Sequence, residues 1–320
     1  MKKKLFLALA VVLTAILFAV SLFTGKYEFS LTALMAGDPV QTRAFLILRL
    51  SRTLVAALGG FVLGITGFVY QTVFRNPLAS PDIIGVASGA SAGAAAGILF
   101  FAGSIMITLF SFLGAVMAVI LALAIASADK SGSKTTIVLA GIAVHALAQA
   151  ALMCMKLLAD PEKQLSAIEF WIMGSLSGIR LTDILWPMVI STLCTLLLFM
   201  LHRQTLLLSM DEGEARMLGA SVGKLRLLIL MCATLAVSSI ISLTGLISFV
   251  GLLAPHTARL ITKDNKVSTM LLGGLLGAVL LLLADILARS LASTELPVSI
   301  FTSLLGAPFL ILLALRRNTE

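Results

Sequence analysis

The chain is 320 residues long, 59% hydrophobic and only 12% charged, with a mean hydropathy of +1.09. That composition excludes one apolar core under a polar coat and points to an all-α chain that crosses a membrane repeatedly. The formal net charge of +8 reports how basic residues are distributed about that membrane, and no other feature favours nucleic acid.

A span needs about 20 helical residues, because hydrocarbon offers no partner for an unpaired backbone group. On that measure the sequence predicts helices near 4–23, 52–73, 84–105, 107–128, 134–157, 182–202, 225–243, 248–261, 269–291 and 299–315. The opening "MKKKLFLALAVVLTAILFAVSLF" has the basic start of a signal peptide, but its apolar run is too long and lacks a small-residue cleavage site, so it reads as a retained first helix. The eighth span is short and holds Pro255; the charges on either side require a crossing there. Ten spans put both termini on one side. Counting 15 Lys and Arg on that side against 8 on the other makes it cytoplasmic. Residues 1–320 read as one transmembrane domain.

Along the chain, Arg49 and Arg52 stand three apart at the outer start of the second span and share a helix face, where they anchor the interface or meet a partner. Gly59, Gly60, Gly64 and Gly67 on that span, and Gly273, Gly274 and Gly277 on the ninth, have the spacing that lets helix backbones approach closely. Between the second and third spans comes "QTVFRNPLASPDIIG" (71–85). Pro77 and Pro81 lack amide donors and turn the preceding residues away from helix, while Arg75 and Asn76 are placed to cap the end of the second span. Asp285 falls inside an apolar run and needs a partner; Arg289, four residues on, supplies an ion pair near the outer surface. Cys154, Cys194 and Cys232 are dispersed and read as small buried hydrophobes. His145, His202 and His256 have no neighbours with metal-ligand spacing, so no metal site and no catalytic residue is expected. His256 reads as shaping the cytoplasmic end of the eighth span with Pro255 and Arg259. The stretch "GASVGKLR" (219–226) has neither the glycine-to-lysine spacing nor the hydroxyl residue of a phosphate loop.

"RLSRTLVAALGGFVLGITGFVYQTVFRNPLASPDIIGVASGA" (49–90), "WIMGSLSG" (171–178), "DEGEARMLGAS" (211–221), "GLISFVGLLAPHTARLI" (245–261) and "LADILARSLASTELPVSIFTSLLGAPFLIL" (283–312) together resemble the FecCD or BtuC-like permeases, importers of iron-siderophore, haem and cobalamin. The resemblance extends over nearly the whole chain, in the family's order. It implies a ten-helix, non-catalytic permease of the ATP-binding-cassette class in the cytoplasmic membrane. Two copies would surround a path, with two separate ATPase subunits below, which use ATP and magnesium, and an extracytoplasmic binding protein above. No cofactor would sit in this chain. The implied cargo is a metal chelate, a ferric siderophore first, with haem or cobalamin as alternatives.

The resemblance also assigns residues. A coupling helix within about 207–223 would carry Asp211, Glu212, Glu214, Ala215, Arg216 and Leu218 and end at Gly219, presenting its apolar side to the ATPase. Arg49, Arg52 and Arg289 match outer-rim positions that receive acidic residues of the binding protein. Arg75, Asn76, Pro77 and Pro81 would shape the cytoplasmic loop, and Gly64, Gly67, Pro255, His256, Arg259 and Asp285 would serve packing or gating. A secondary transporter or channel could share the helix count, but neither an acidic relay nor a filter is legible. A membrane metalloenzyme lacks its ligand cluster.

Overall fold

A computed structural model describes residues 2–25, 30–101, 103–128, 134–179, 181–219, 221–291 and 294–317. Lys26, Lys130 and Arg180, counted above by charge, lie outside the described residues, as do the side chains of Lys2, Glu212, Arg316 and Arg317. The regular elements among the described residues are all helices: α1 (Lys2–Phe23), α2 (Leu31–Met35), α3 (Pro39–Ala44), α4 (Ser51–Val73), α5 (Val86–Phe100), α6 (Ser104–Ser127), α7 (Lys134–Leu158), α8 (Ser166–Ile172), α9 (Leu181–Met200), α10 (His202–Leu207), α11 (Glu212–Met217), α12 (Val222–Thr244), α13 (Val250–Thr262), α14 (Val267–Ser290) and α15 (Val298–Arg317). Seven stretches among them are long and apolar enough to span a bilayer, which makes the chain a polytopic membrane protein.

The second span begins earlier than the sequence suggests. Asp38 accepts a hydrogen bond from Val40 N at 2.9 Å and Pro39 opens α3, so a strong start signal sits well outside the apolar run. From there helix continues through a π-turn at Phe45–Leu50 into α4, giving 35 residues from Pro39 to Val73.

Helix α4 is the axis of the bundle. Its apolar window is 78% buried, whereas that of α1 is 11% buried and faces outward. Glycines explain how so many neighbours reach it. A methyl group added at Gly60 would lie 2.4 Å from Gly277 O, at Gly64 2.2 Å from Gly273 O, and at Gly67 1.7 Å from Gly251 O. Helices α14 and α13 therefore pack backbone to backbone against α4, as the small-residue spacing predicts.

Helix α5 is shorter than expected and α13 is as short as expected, for a common reason. Helices α5 and α13 have 15 and 13 residues, about 20 Å each at 1.5 Å per residue, too short to cross about 30 Å of hydrocarbon. The missing length is irregular backbone. After α4 the chain turns back into the bundle: a methyl group on Gly141 of α7 would meet Ile83 O at 2.2 Å, and one on Gly251 would meet Pro81 Cδ at 3.9 Å and Leu63 O at 3.2 Å. Leu63 precedes the end of α4 by ten residues, roughly 15 Å along the axis. Pro81–Ile84 form a 3₁₀ turn at that depth, and Gly85, at φ 84°, starts α5 there. Similarly, Gly245 to Phe249 descend without helix before α13 begins. Irregular backbone at membrane depth persists only where protein or a wet cavity surrounds it.

The motifs at 171–178, 245–249 and 297–299 meet in space. Ser175 N donates to Thr244 O at 2.7 Å, Val298 N donates to Gly174 O at 3.0 Å, and Ser299 Oγ donates to Leu246 O at 2.5 Å. These bonds satisfy backbone that no helix covers.

Candidate functional site

At one end of the bundle the arginines read from the sequence converge, but inside the protein rather than on its surface. Arg52 donates from Nε to Asp285 Oδ1 at 2.8 Å and from Nη1 to Glu295 Oε2 at 2.7 Å. Arg289 pairs with Asp285 Oδ2 at 2.8 Å, which bears out the i,i+4 pair expected within α14. Arg289 also donates to Thr24 O at 2.8 Å and Ser21 Oγ at 2.6 Å, and Arg49 donates to Leu22 O at 2.8 Å. The network stitches the C-terminal end of α1 to α4 and α14. Arg49, Arg52 and Arg289 are all buried, and Asp285 is fully so. The expectation of an exposed or half-exposed basic surface is therefore corrected: burying the guanidinium stems lets Asp285 neutralise two of them. The three side chains still border a cavity of about 430 Å³, together with Glu295, Leu176 and Gly178. Glu295 escaped the sequence reading, because an acid in an irregular loop has no helical spacing to announce its partner.

At the opposite end, Arg75 and Asn76 cap α4 through their backbone. Arg75 N donates to Thr72 O at 3.3 Å and Asn76 N to Gln71 O at 3.2 Å, with Arg75 left-handed at φ 51°. This is a Schellman arrangement with arginine where glycine is usual. Asn76 Oδ1 then accepts from Leu78 N at 2.9 Å, closing the turn that leads back into the membrane. Pro77 is exposed and Pro81 buried.

Arg259 fastens α13 to the same end of α4: Nη2 donates to Phe68 O at 3.0 Å and to Thr72 Oγ1 at 2.6 Å, and its guanidinium lies 4.5 Å from the Phe68 ring centre. Pro255 lies against Gly273, where an added methyl would meet its Cα at 3.3 Å. His256 Nδ1 is buried with no hydrogen-bond partner. Outside the membrane, in the turn between α13 and α14, Asp264 pairs with Lys3 Nζ at 2.5 Å and accepts from Thr269 Oγ1. Burial raises its carboxyl group, but these hydrogen bonds and the Lys3 charge outweigh that and leave it at about 2.

Within the stretch 207–223, where a helix is expected, α11 forms over Glu212–Met217. Ala215 N donates to Asp211 O at 2.9 Å, Leu218 N donates to Glu214 O at 3.2 Å, and Gly219, at φ 82°, ends the helix. One assignment is corrected: Ala215 is buried against the body of the protein, so it is not on the outward apolar side. Met217 and Leu218, 90% and 62% exposed, are. The reading of three buried thiols is also corrected, since Cys154 is exposed on α7. Among the described residues no group of three or more His, Cys, Asp or Glu could hold a metal ion.

Residues 13–316 match the FecCD transport family. The chain belongs to the FecCD transport family. As a FecCD protein it is the membrane-spanning permease component, which performs no catalysis itself. It is 34% identical to the molybdate import system permease protein MolB of Haemophilus influenzae, over 94% of this chain and 92% of that protein. It is 37% identical to an iron chelatin transport system permease protein of Helicobacter pylori, over 84% and 81%. A solved structure described as an inward-facing conformation of a metal-chelate type ABC transporter superposes with a TM-score of 0.88 at 33% identity, covering 97% of this chain and 98% of the other.

Proposed function

We propose that this FecCD protein is the permease of an ATP-driven importer that carries a metal chelate, a ferric siderophore first, from an extracytoplasmic binding protein into the cytoplasm by alternating access. The observation that carries the reading is the match of fold and sequence over nearly the whole chain to a metal-chelate type ABC transporter. Haem or cobalamin cargo would use the same architecture. The molybdate permease relative favours a second reading, an oxyanion importer, for which ATP-dependent uptake of molybdate rather than of a ferric siderophore by the complete complex would decide.

In this reading the chain crosses the membrane ten times. Helices α5, α13 and α15 join the seven long stretches, with irregular backbone completing α5 and α13, and both termini lie in the cytoplasm. Two copies enclose the path, and two ATPase subunits dock below on α11, where Met217 and Leu218 supply the outward apolar contact and Asp211, Glu214 and Arg216 the polar rim. ATPase closure moves paired α11 segments as rigid bodies, and the capped turn at Arg75–Pro81 and the Arg259 clamp transmit that motion to α4 and α13. The binding protein docks over the outer cavity, where three guanidiniums face two carboxylates, so the surplus positive charge suits an acidic partner. Gly64 and Gly67 let α14 and α13 ride closely on α4 as they tilt.

The assembly is tested by native mass measurement of the purified complex, which should contain two copies of this chain and two ATPases. A functional complex with a single copy would overturn it.

A further inference from the structure

Near the middle of the bundle, the inward-turning segment and the irregular stretch before α13 enclose a cavity of about 250 Å³ between α4 and α12. Leu63, Val237 and Ile241 form its apolar wall. Its polar groups are Ser80, Asp82 and Ser248, and none of the described residues lining it is basic. Both Asp82 and Ser248 are exposed. Ser80 Oγ donates to the Asp82 carboxylate over a long 3.5 Å. This is unlike Asp285, whose charge is fully used by two arginines. No guanidinium or ammonium shares this cavity; the cationic group whose charge reaches Asp82 is the His145 imidazole on α7, and a carboxylate so placed at membrane depth is costly unless water or a passing solute also compensates it. The chain has also spent structure to put it there: α5 is shortened so that Pro81–Ile84 can lie at this level, and Phe249 adopts φ 67° beside it.

We propose that Asp82, with Ser80 and Ser248, forms a cation-attracting subsite on the internal path, which favours neutral or positively charged chelates and hydrogen-bond donors and opposes oxyanions. This rests on the permease reading above in taking the cavity as part of the cargo path. Ser80 and Ser248 hydroxyls can turn to donate or accept, so they accommodate a polar rim of a chelate, while the carboxylate sets the sign of charge.

The test reads local charge without needing transport. In protein carrying Cys154→Ala, Cys194→Ala and Cys232→Ala, Ser248→Cys provides a single thiol in the cavity. Its labelling by the cationic reagent trimethylammonium-ethyl methanethiosulfonate is compared with the anionic sulfonatoethyl analogue, each normalised to a free thiol. With Asp82 present, the cation-to-anion rate ratio should exceed that of the Asp82→Asn protein by about fivefold, the order expected when one charge in the same cavity acts through water oppositely on the two reagents. Asp82→Glu, which keeps the charge, should preserve the high ratio. Equal ratios for Asp82 and Asp82→Asn, or a thiol at 248 that neither reagent reaches, overturns the subsite. Absence of ATP-dependent uptake by the complete wild-type complex would instead count against the permease reading, and the labelling result would stand apart from it.

Discussion

Replacing Gly64 by alanine probes the seam on which the whole bundle is organised. The added methyl would lie 2.2 Å from the carbonyl oxygen and 2.8 Å from the carbonyl carbon of Gly273. Both are backbone atoms, so no rotamer change relieves the contact. An ordinary carbon to carbonyl-oxygen approach is about 3.3 Å or more, so α4 and α14 must separate by roughly 1 Å. A gap of that size forfeits a quarter to a half of the dispersion energy at each contact it opens, and the Gly60 to Gly277 contact lies on the same seam. The expected loss is therefore at the upper end of the ~1–3 kcal/mol typical of an overpacked core. Gly223→Ala is the matched control: it sits in the first turn of α12 with nothing within 4 Å of the added methyl, and should be neutral or stabilising by up to about 1 kcal/mol. Thermal unfolding of the two purified proteins in the same detergent compares them. Equal midpoints would refute the claim that glycine is required by backbone contact.

Further outcomes follow from individual contacts. Asp285→Asn strands two buried guanidiniums and should cost about 3–5 kcal/mol, whereas Glu295→Gln, at a side chain 35% exposed, should cost under about 1 kcal/mol; denaturant unfolding in detergent distinguishes them. Asp264 is held at about 2 in the folded protein against about 3.9 when unfolded, so its contribution is present above about pH 4 and is lost as pH falls towards 2. Asp264→Asn should flatten that part of the Tm against pH curve, and an unchanged acid limb would contradict the Lys3 contact. Met217→Asp with Leu218→Asp should weaken ATPase attachment at unchanged Tm, while Ala215→Asp should lower Tm by burying a charge; pull-down with the ATPase and thermal unfolding separate the two.

The spans, the glycine seam and the Asp285–Arg289 pair were legible in the sequence because each rests on helical periodicity. Gly64 and Gly273 announce themselves by spacing, and Arg289 lies one turn from Asp285. What could not be read was the depth of irregular backbone. "NPLASP" marks a turn in any setting, and nothing in it says that the chain turns back into the membrane, which depends on Gly141 admitting Ile83 O. The same limit applies to burial. Arg49 and Arg52 at a helix start look exposed until α1 and Glu295, remote in sequence, close over them. Ala215 and Leu218 differ by three residues yet face opposite ways, because α11 is six residues long and its orientation is set by contact with the bundle rather than by its own pattern.

The central claim is that this chain moves its cargo only when ATPase subunits drive it. The most direct measurement is uptake into sealed proteoliposomes holding the complete complex, with a ferric siderophore delivered by the binding protein outside and ATP with magnesium supplied inside. The account predicts accumulation that requires ATP hydrolysis and disappears in proteoliposomes made with this chain alone. Accumulation by the chain alone, driven by an ion gradient and indifferent to ATP, would contradict it.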